Sequence, residues 1–104
     1  MADTTGPIVL VNLYNCRPER QAELMVALEA LTEAARRLPG FRSARLHRSL
    51  NGKHVVNYAE WESVDHWRGM VRHASVQACM ERVVALATFE PHVYAPAKTY
   101  GPAS

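Results

Sequence analysis

From Ile8 to Tyr14 the chain reads Ile-Val-Leu-Val-Asn-Leu-Tyr, a nearly unbroken apolar run after Gly6-Pro7. Such a run predicts a strand buried on both faces and central in its sheet. The period then changes. From Pro18, a residue suited to a first helical turn, apolar residues recur at Leu24, Leu28, Leu31, Ala35 and Leu38 with Glu and Arg between them. This predicts an amphipathic helix ended by Pro39-Gly40. The segments Phe41 to Leu50 and His54 to Glu62 flank Asn51-Gly52, two residue types that tolerate positive φ, so they predict an antiparallel hairpin. Ser63 is placed to cap a second helical region. That region runs through Trp67 and Val71, breaks near His73-Ala74-Ser75 and resumes through Val76, Met80, Val83 and Val84. Thr88 to Tyr94 predicts a last strand, and the tail from Pro96 to Ser104 either frays or reaches over a neighbouring subunit.

The order is therefore βαββαβ, a split βαβ in which two helices cover one face of a four-stranded antiparallel sheet. One sheet face is left bare. Apolar residues nevertheless occur on both faces of the third strand, Val55 and Ala59 against Val56 and Tyr58, which predicts a homodimer with sheets packed face to face. Composition agrees. A chain of 104 residues has room for one domain, with its core over about 7–98 and a tail over 99–104, and a globule this small buries only about 65% of its unfolded surface.

Charge and targeting signals narrow the class further. Ten Arg and two Lys against two Asp and eight Glu give a net charge of +2, short of the basic stripe that phosphate backbones attract. Met1 to Thr5 has no basic region followed by an apolar one, and no apolar run approaches membrane-spanning length. A cytoplasmic protein without nucleic-acid or membrane partners is expected, its Cys16 and Cys79 reduced thiols.

The most informative stretch is Val55-Val56-Asn57-Tyr58-Ala59-Glu60-Trp61. Alternation puts Asn57 and Trp61 on one face and Tyr58 on the other. Strands are depleted in Asn, and a buried amide needs partners. Asn57 is thus either satisfied by backbone or water, or stands at the wall of a pocket. Trp61 and Trp67 are correspondingly core residues or flat apolar surface for an aromatic ligand.

Four blocks carry a resemblance: Leu38-Pro39-Gly40-Phe41, Leu46 to Gly52 (Leu-His-Arg-Ser-Leu-Asn-Gly), Val55 to Ser63, and Phe89-Glu90-Pro91-His92-Val93-Tyr94. In this order and spacing the chain, over roughly residues 8–98, resembles small antibiotic biosynthesis monooxygenase domains. The resemblance implies a ferredoxin-like α+β fold, a dimeric α+β barrel, with a pocket between sheet and helices. It also implies oxidation of an aromatic polyketide, a polycyclic phenol or anthrone, to a quinone with O2 and neither metal nor flavin. Carried over by position, Asn57, Tyr58 and Trp61 are the catalytic candidates, and Trp67 and Asn12 the substrate-binding ones. Where some quinone-forming members place an Arg in the second helical region, this chain has Glu81, with Arg82 adjacent. The chemistry suits these residue types, because a deprotonated electron-rich phenol can pass an electron to O2 directly. The protein need only favour the anion, hold it beside oxygen and exclude water. Asn57 would then donate to the oxyanion and Tyr58 would relay a proton or fix a substrate oxygen.

Other readings fare less well. Haem-degrading relatives need an axial His and a Trp where this chain has Met80 and Met70, although Asn12 matches their first-strand Asn. The five His show no metal-ligand spacing. An RNA-recognition module shares the βαββαβ order, but its stacking aromatics are missing, and alternation separates Arg45 from Arg42 and Arg48. Glu60 and Glu62 share a face as paired carboxylates do, yet fit an exposed role. A non-oxidative cyclase or isomerase, or a small-molecule-binding accessory dimer, remain alternatives to the oxygenase.

Overall fold

The structure of the protein, a computed structural model, describes residues 6–103. Met1 to Thr5, on which the expectation about targeting rests, and Ser104, the end of the tail, lie outside the described residues. β1 (Ile8–Cys16) leads through a 3-10 turn (Pro18–Arg20) into α1 (Gln21–Ala35), followed by β2 (Phe41–Arg48) and β3 (His54–Trp61). Next come α2 (Val64–Arg72), α3 (Ala74–Leu86) and β4 (Ala87–Tyr94). The sheet order is β2-β3-β1-β4 and every pairing is antiparallel, the ferredoxin-like arrangement that the βαββαβ pattern predicts. The break in the second helical region falls at His73, whose extended backbone ends α2 and whose side chain caps α3 by accepting from the Ser75 amide. Ser63 caps α2 through the His66 amide, as its position predicted.

Two turns show how local chemistry sets register. The hairpin is wider than a two-residue turn, since β2 ends at Arg48 and β3 begins at His54. Only Gly52 takes positive φ, at 78°. The side-chain oxygen of Asn51 instead accepts from the Lys53 amide at 2.9 Å and from the Ser49 hydroxyl at 2.7 Å, closing the loop from inside. Gln21, at the start of α1, donates to the Ser49 and His54 carbonyls, pinning the helix to this loop. Gly40, at φ 84°, accepts from the Glu62 amide at 2.8 Å and passes so close to His66 that a Cβ would overlap its ring.

The core lies between the helices and one sheet face. Ile8, Leu10, Tyr14, Val55, Ala59 and Trp61 point from the strands toward Leu24, Leu28 and Leu31 of α1 and Val76 and Val83 of α3. β1 is central, but in the single chain its opposite face is only half-buried at Val9, Val11 and Leu13. A bulge between Phe41 and Ser43 shifts the alternation of β2. It corrects the expected separation of arginines, because Arg42 lines a groove with Tyr58 while Arg45 is the cross-strand partner of Tyr58.

Candidate active site

Between the sheet and the helices lies a cavity of about 260 Å³, just below the range of roughly 300–1,000 Å³ common for small-molecule sites. Every strand except β2 and all three α-helices supply part of its wall, α1 through Leu31. β1 contributes Leu10, Asn12 and Tyr14, alternate residues of one strand face. α2 contributes Trp67, Met70 and Val71 at helical spacing, α3 contributes Val76 and Met80, and β4 closes the edge with Phe89 and Pro91. Asn57 is the wall residue from β3. Tyr14 and Phe89 lie with ring centroids 5.7 Å apart and tilted by 34°.

The two amides meet because of register. Asn12 and Asn57 are cross-strand partners of β1 and β3, which places both side chains on the helix-facing side. Each is 8% exposed, and each has a buried Oδ1 with no hydrogen-bond partner among the described residues. A buried acceptor left without a donor costs about 1–3 kcal/mol, so the pair marks a place where a ligand's hydroxyl groups would be favoured. Asn12 Nδ2 donates to the Tyr14 hydroxyl at 3.0 Å. Burial pushes the Tyr14 phenol up to about 12, so it keeps its proton at neutral pH. The cavity wall otherwise carries no ionisable side chain.

Of the sequence candidates, the structure brings Asn12, Asn57 and Trp67 together in this wall. Tyr58 is placed elsewhere. Its even position on β3 turns it to the opposite sheet face, where it is 38% exposed and lines an open groove with Val9, Arg42 and Glu60. It therefore does not reach the cavity as a catalytic Tyr in the wall would. Trp61 shares the face of Asn57 but lies four residues on, roughly 13 Å along the strand. At 1% exposure it packs edge-on against Phe41, with centroids 5.4 Å apart, and is not part of the cavity wall. Arg82 pairs with Glu23 of α1 at 3.2 Å, outside the cavity, and Glu81 is absent from its wall.

Tyr14 went unselected by sequence reasoning, although its position two residues after Asn12 on one strand predicts a shared face. Phe89 and Pro91 required the β1–β4 register to be found. Among the described residues no group of three or more His, Cys, Asp or Glu side chains is gathered as a metal would need. Cys16 and Cys79 are both free thiols.

The sequence matches the antibiotic biosynthesis monooxygenase family over residues 7–82. The chain belongs to this family. Tetracenomycin-F1 monooxygenase of Streptomyces glaucescens is 47% identical over 62 residues, which are 59% of this chain and 55% of that relative. The match thus spans about half the length of the relative. The fold is similar to that of SnoaB, described as a cofactor-independent oxygenase from Streptomyces nogalater. That likeness has a TM-score of 0.83 at 23% identity, over 90% of this chain and 96% of that one. It is also similar to that of Rv0793 from Mycobacterium tuberculosis, with a TM-score of 0.80 at 21% identity over 92% and 100% of the two chains. These two fold likenesses agree with the ferredoxin-like α+β architecture of the chain.

Proposed function

We propose that the protein is a monooxygenase that oxidises an aromatic polyketide or similar polycyclic phenol or anthrone to a quinone with O2, using neither metal nor flavin. The observation that carries the reading is the apolar cavity with two buried, unsatisfied amide oxygens set into it. Flat rings suit walls made of Trp67, Phe89, Met70 and Met80, and phenolic hydroxyls suit Asn12 and Asn57. The tetracenomycin-F1 monooxygenase relative and the SnoaB fold likeness support the same chemistry.

The reaction places clear demands on the wall. An anthrone-type methylene gains one oxygen atom as the new carbonyl, and the second oxygen of O2 leaves as water with both methylene hydrogens. Electrons for O2 come from the deprotonated ring system itself. With no carboxylate, imidazole or amine in the wall, the substrate loses its proton through its own acidity, to water at the mouth. Asn57 Nδ2 then donates to the oxyanion, a charge-assisted bond of about 1.5–3 kcal/mol. Trp67 covers the ring plane and keeps water out. Trp61 supports the β3 end through Phe41, and Tyr58 belongs to the open sheet face, where a second copy packs to complete a dimeric α+β barrel.

The test is direct. Purified, metal-free protein incubated with an anthrone should take up O2 and release quinone well above the uncatalysed rate. Unchanged O2 uptake and unchanged quinone absorbance would reject the oxygenase reading in favour of a non-oxidative cyclase or a binding dimer.

A further inference from the structure

Tyr14 is the one hydroxyl in the cavity wall, and its hydroxyl is paired with the Asn12 amide. The phenol oxygen accepts from Asn12 Nδ2 at 3.0 Å. With Asn12 Nδ2 as the donor, the phenol O–H turns away from Asn12, and the described residues give it no acceptor of its own. The ring cannot swing out to find one: it is 2% exposed, and it is clamped against Phe89. A polarised donor, pinned in place and left without an acceptor, is a binding element for an oxygen that the protein does not itself supply.

We propose that Tyr14 is a second hydrogen-bond donor, beside Asn57 Nδ2, through which the cavity binds an acceptor oxygen, carbonyl or phenolate, of its aromatic ligand, with Asn12 as the residue that positions the hydroxyl. The inference rests on the reading of the cavity as an aromatic-ligand site. It adds the polarity of recognition. The Asn12 and Asn57 oxygens accept from ligand hydroxyls, while Tyr14 donates, so the preferred ligand edge carries a bare oxygen beside a hydroxyl. Because burial keeps the phenol protonated well above neutral pH, Tyr14 acts as a donor and not as a base.

Two soluble probes isolate the donor. 9,10-Anthraquinone-2-sulfonate and anthracene-2-sulfonate share the ring system and the sulfonate, and differ in the two ring carbonyls. Their binding is read by quenching of tryptophan fluorescence, in the wild-type protein and in Tyr14→Phe, which keeps the ring and its contact with Phe89. The expected result is a loss of roughly five- to twentyfold in affinity for the quinone, with anthracene-2-sulfonate unchanged. Equal losses for both probes would mean that Tyr14 acts by packing alone, and would overturn the donor assignment. An unchanged quinone affinity would overturn it too, as happens if the Asn12 amide is turned so that Tyr14 donates to its oxygen. If Tyr14→Phe shows no donor effect while the wild type binds both probes, the aromatic cavity stands and only the donor role falls. Binding of neither probe by the wild type would sink both.

Discussion

Asn57 stands where a strand facing a core is normally apolar, and its buried oxygen has no donor among the described residues. Stability and function therefore pull in opposite directions at this position. Replacing Asn57 by Leu removes the unsatisfied acceptor at similar volume and should stabilise the fold by about 1 kcal/mol, raising Tm by about 4–8 °C. Turnover of an anthrone should fall at least tenfold at the same time, measured by quinone absorbance. A variant that is both less stable and fully active would contradict the reading. Tyr14 gives a second signature at this scale. Its phenol sits at about 12 in the folded chain against 10.0 when unfolded, through burial, so the folded state holds the proton more tightly. That contribution is fully present below pH 10 and is lost as pH rises toward 12, about 3 kcal/mol in all. Urea unfolding across this window should show a steeper alkaline decline for the wild type than for Tyr14→Phe.

At the scale of elements, Gly40 ties β2 to the end of β3 and to α2. It combines a positive φ, a hydrogen bond from the Glu62 amide and close passage beside the His66 side chain. Gly40→Ala adds left-handed strain and a clash together, and should cost about 2–4 kcal/mol by chemical denaturation. A loss below 1 kcal/mol would mean that the His66 side chain moves aside freely. Element types and order were legible in the sequence because each segment keeps one period: apolar runs in β1, a helical repeat in α1, a capping Ser63 before α2. The hairpin was legible in place but not in shape. Asn51 prefers to bond its own loop through its side chain, so the tight turn gives way to a wider one. The bulge in β2 had no sequence signal, and it moved Arg42 to the face assigned to Arg45.

At the scale of the whole molecule, helices cover one sheet face and leave the other half-buried in the single chain. Val9, Val11, Leu13 and Val56 form its apolar middle, with Arg45, Glu60, Glu90 and His92 around them. An apolar centre with a polar, mixed-charge rim is the anatomy of an interface. The homodimer proposed from this face makes Val11→Asp a sharp probe. Sedimentation should show the wild type as a dimer at micromolar concentration and the variant as a monomer, since a carboxylate would be buried opposite a second copy. A wild-type monomer would remove the barrel. No helix among the described residues is long and apolar enough to cross a membrane.

The sequence by itself determined the elements, their order and the two faces of each strand, because periodicity is a local property of the chain. It therefore put Asn57 and Trp61 on one face of the strand and Tyr58 on the other, and its blocks pointed to the family that the comparison then showed. Only the tertiary structure decided which inward residues meet. Register set Asn12 against Asn57, strand length carried Trp61 past the cavity into the core beside Phe41, and the return of β4 along β1 brought Phe89 onto Tyr14. Contacts between residues far apart along the chain depend on how strands pair. A pattern that repeats every two residues fixes the face of a side chain but not its neighbour across the sheet.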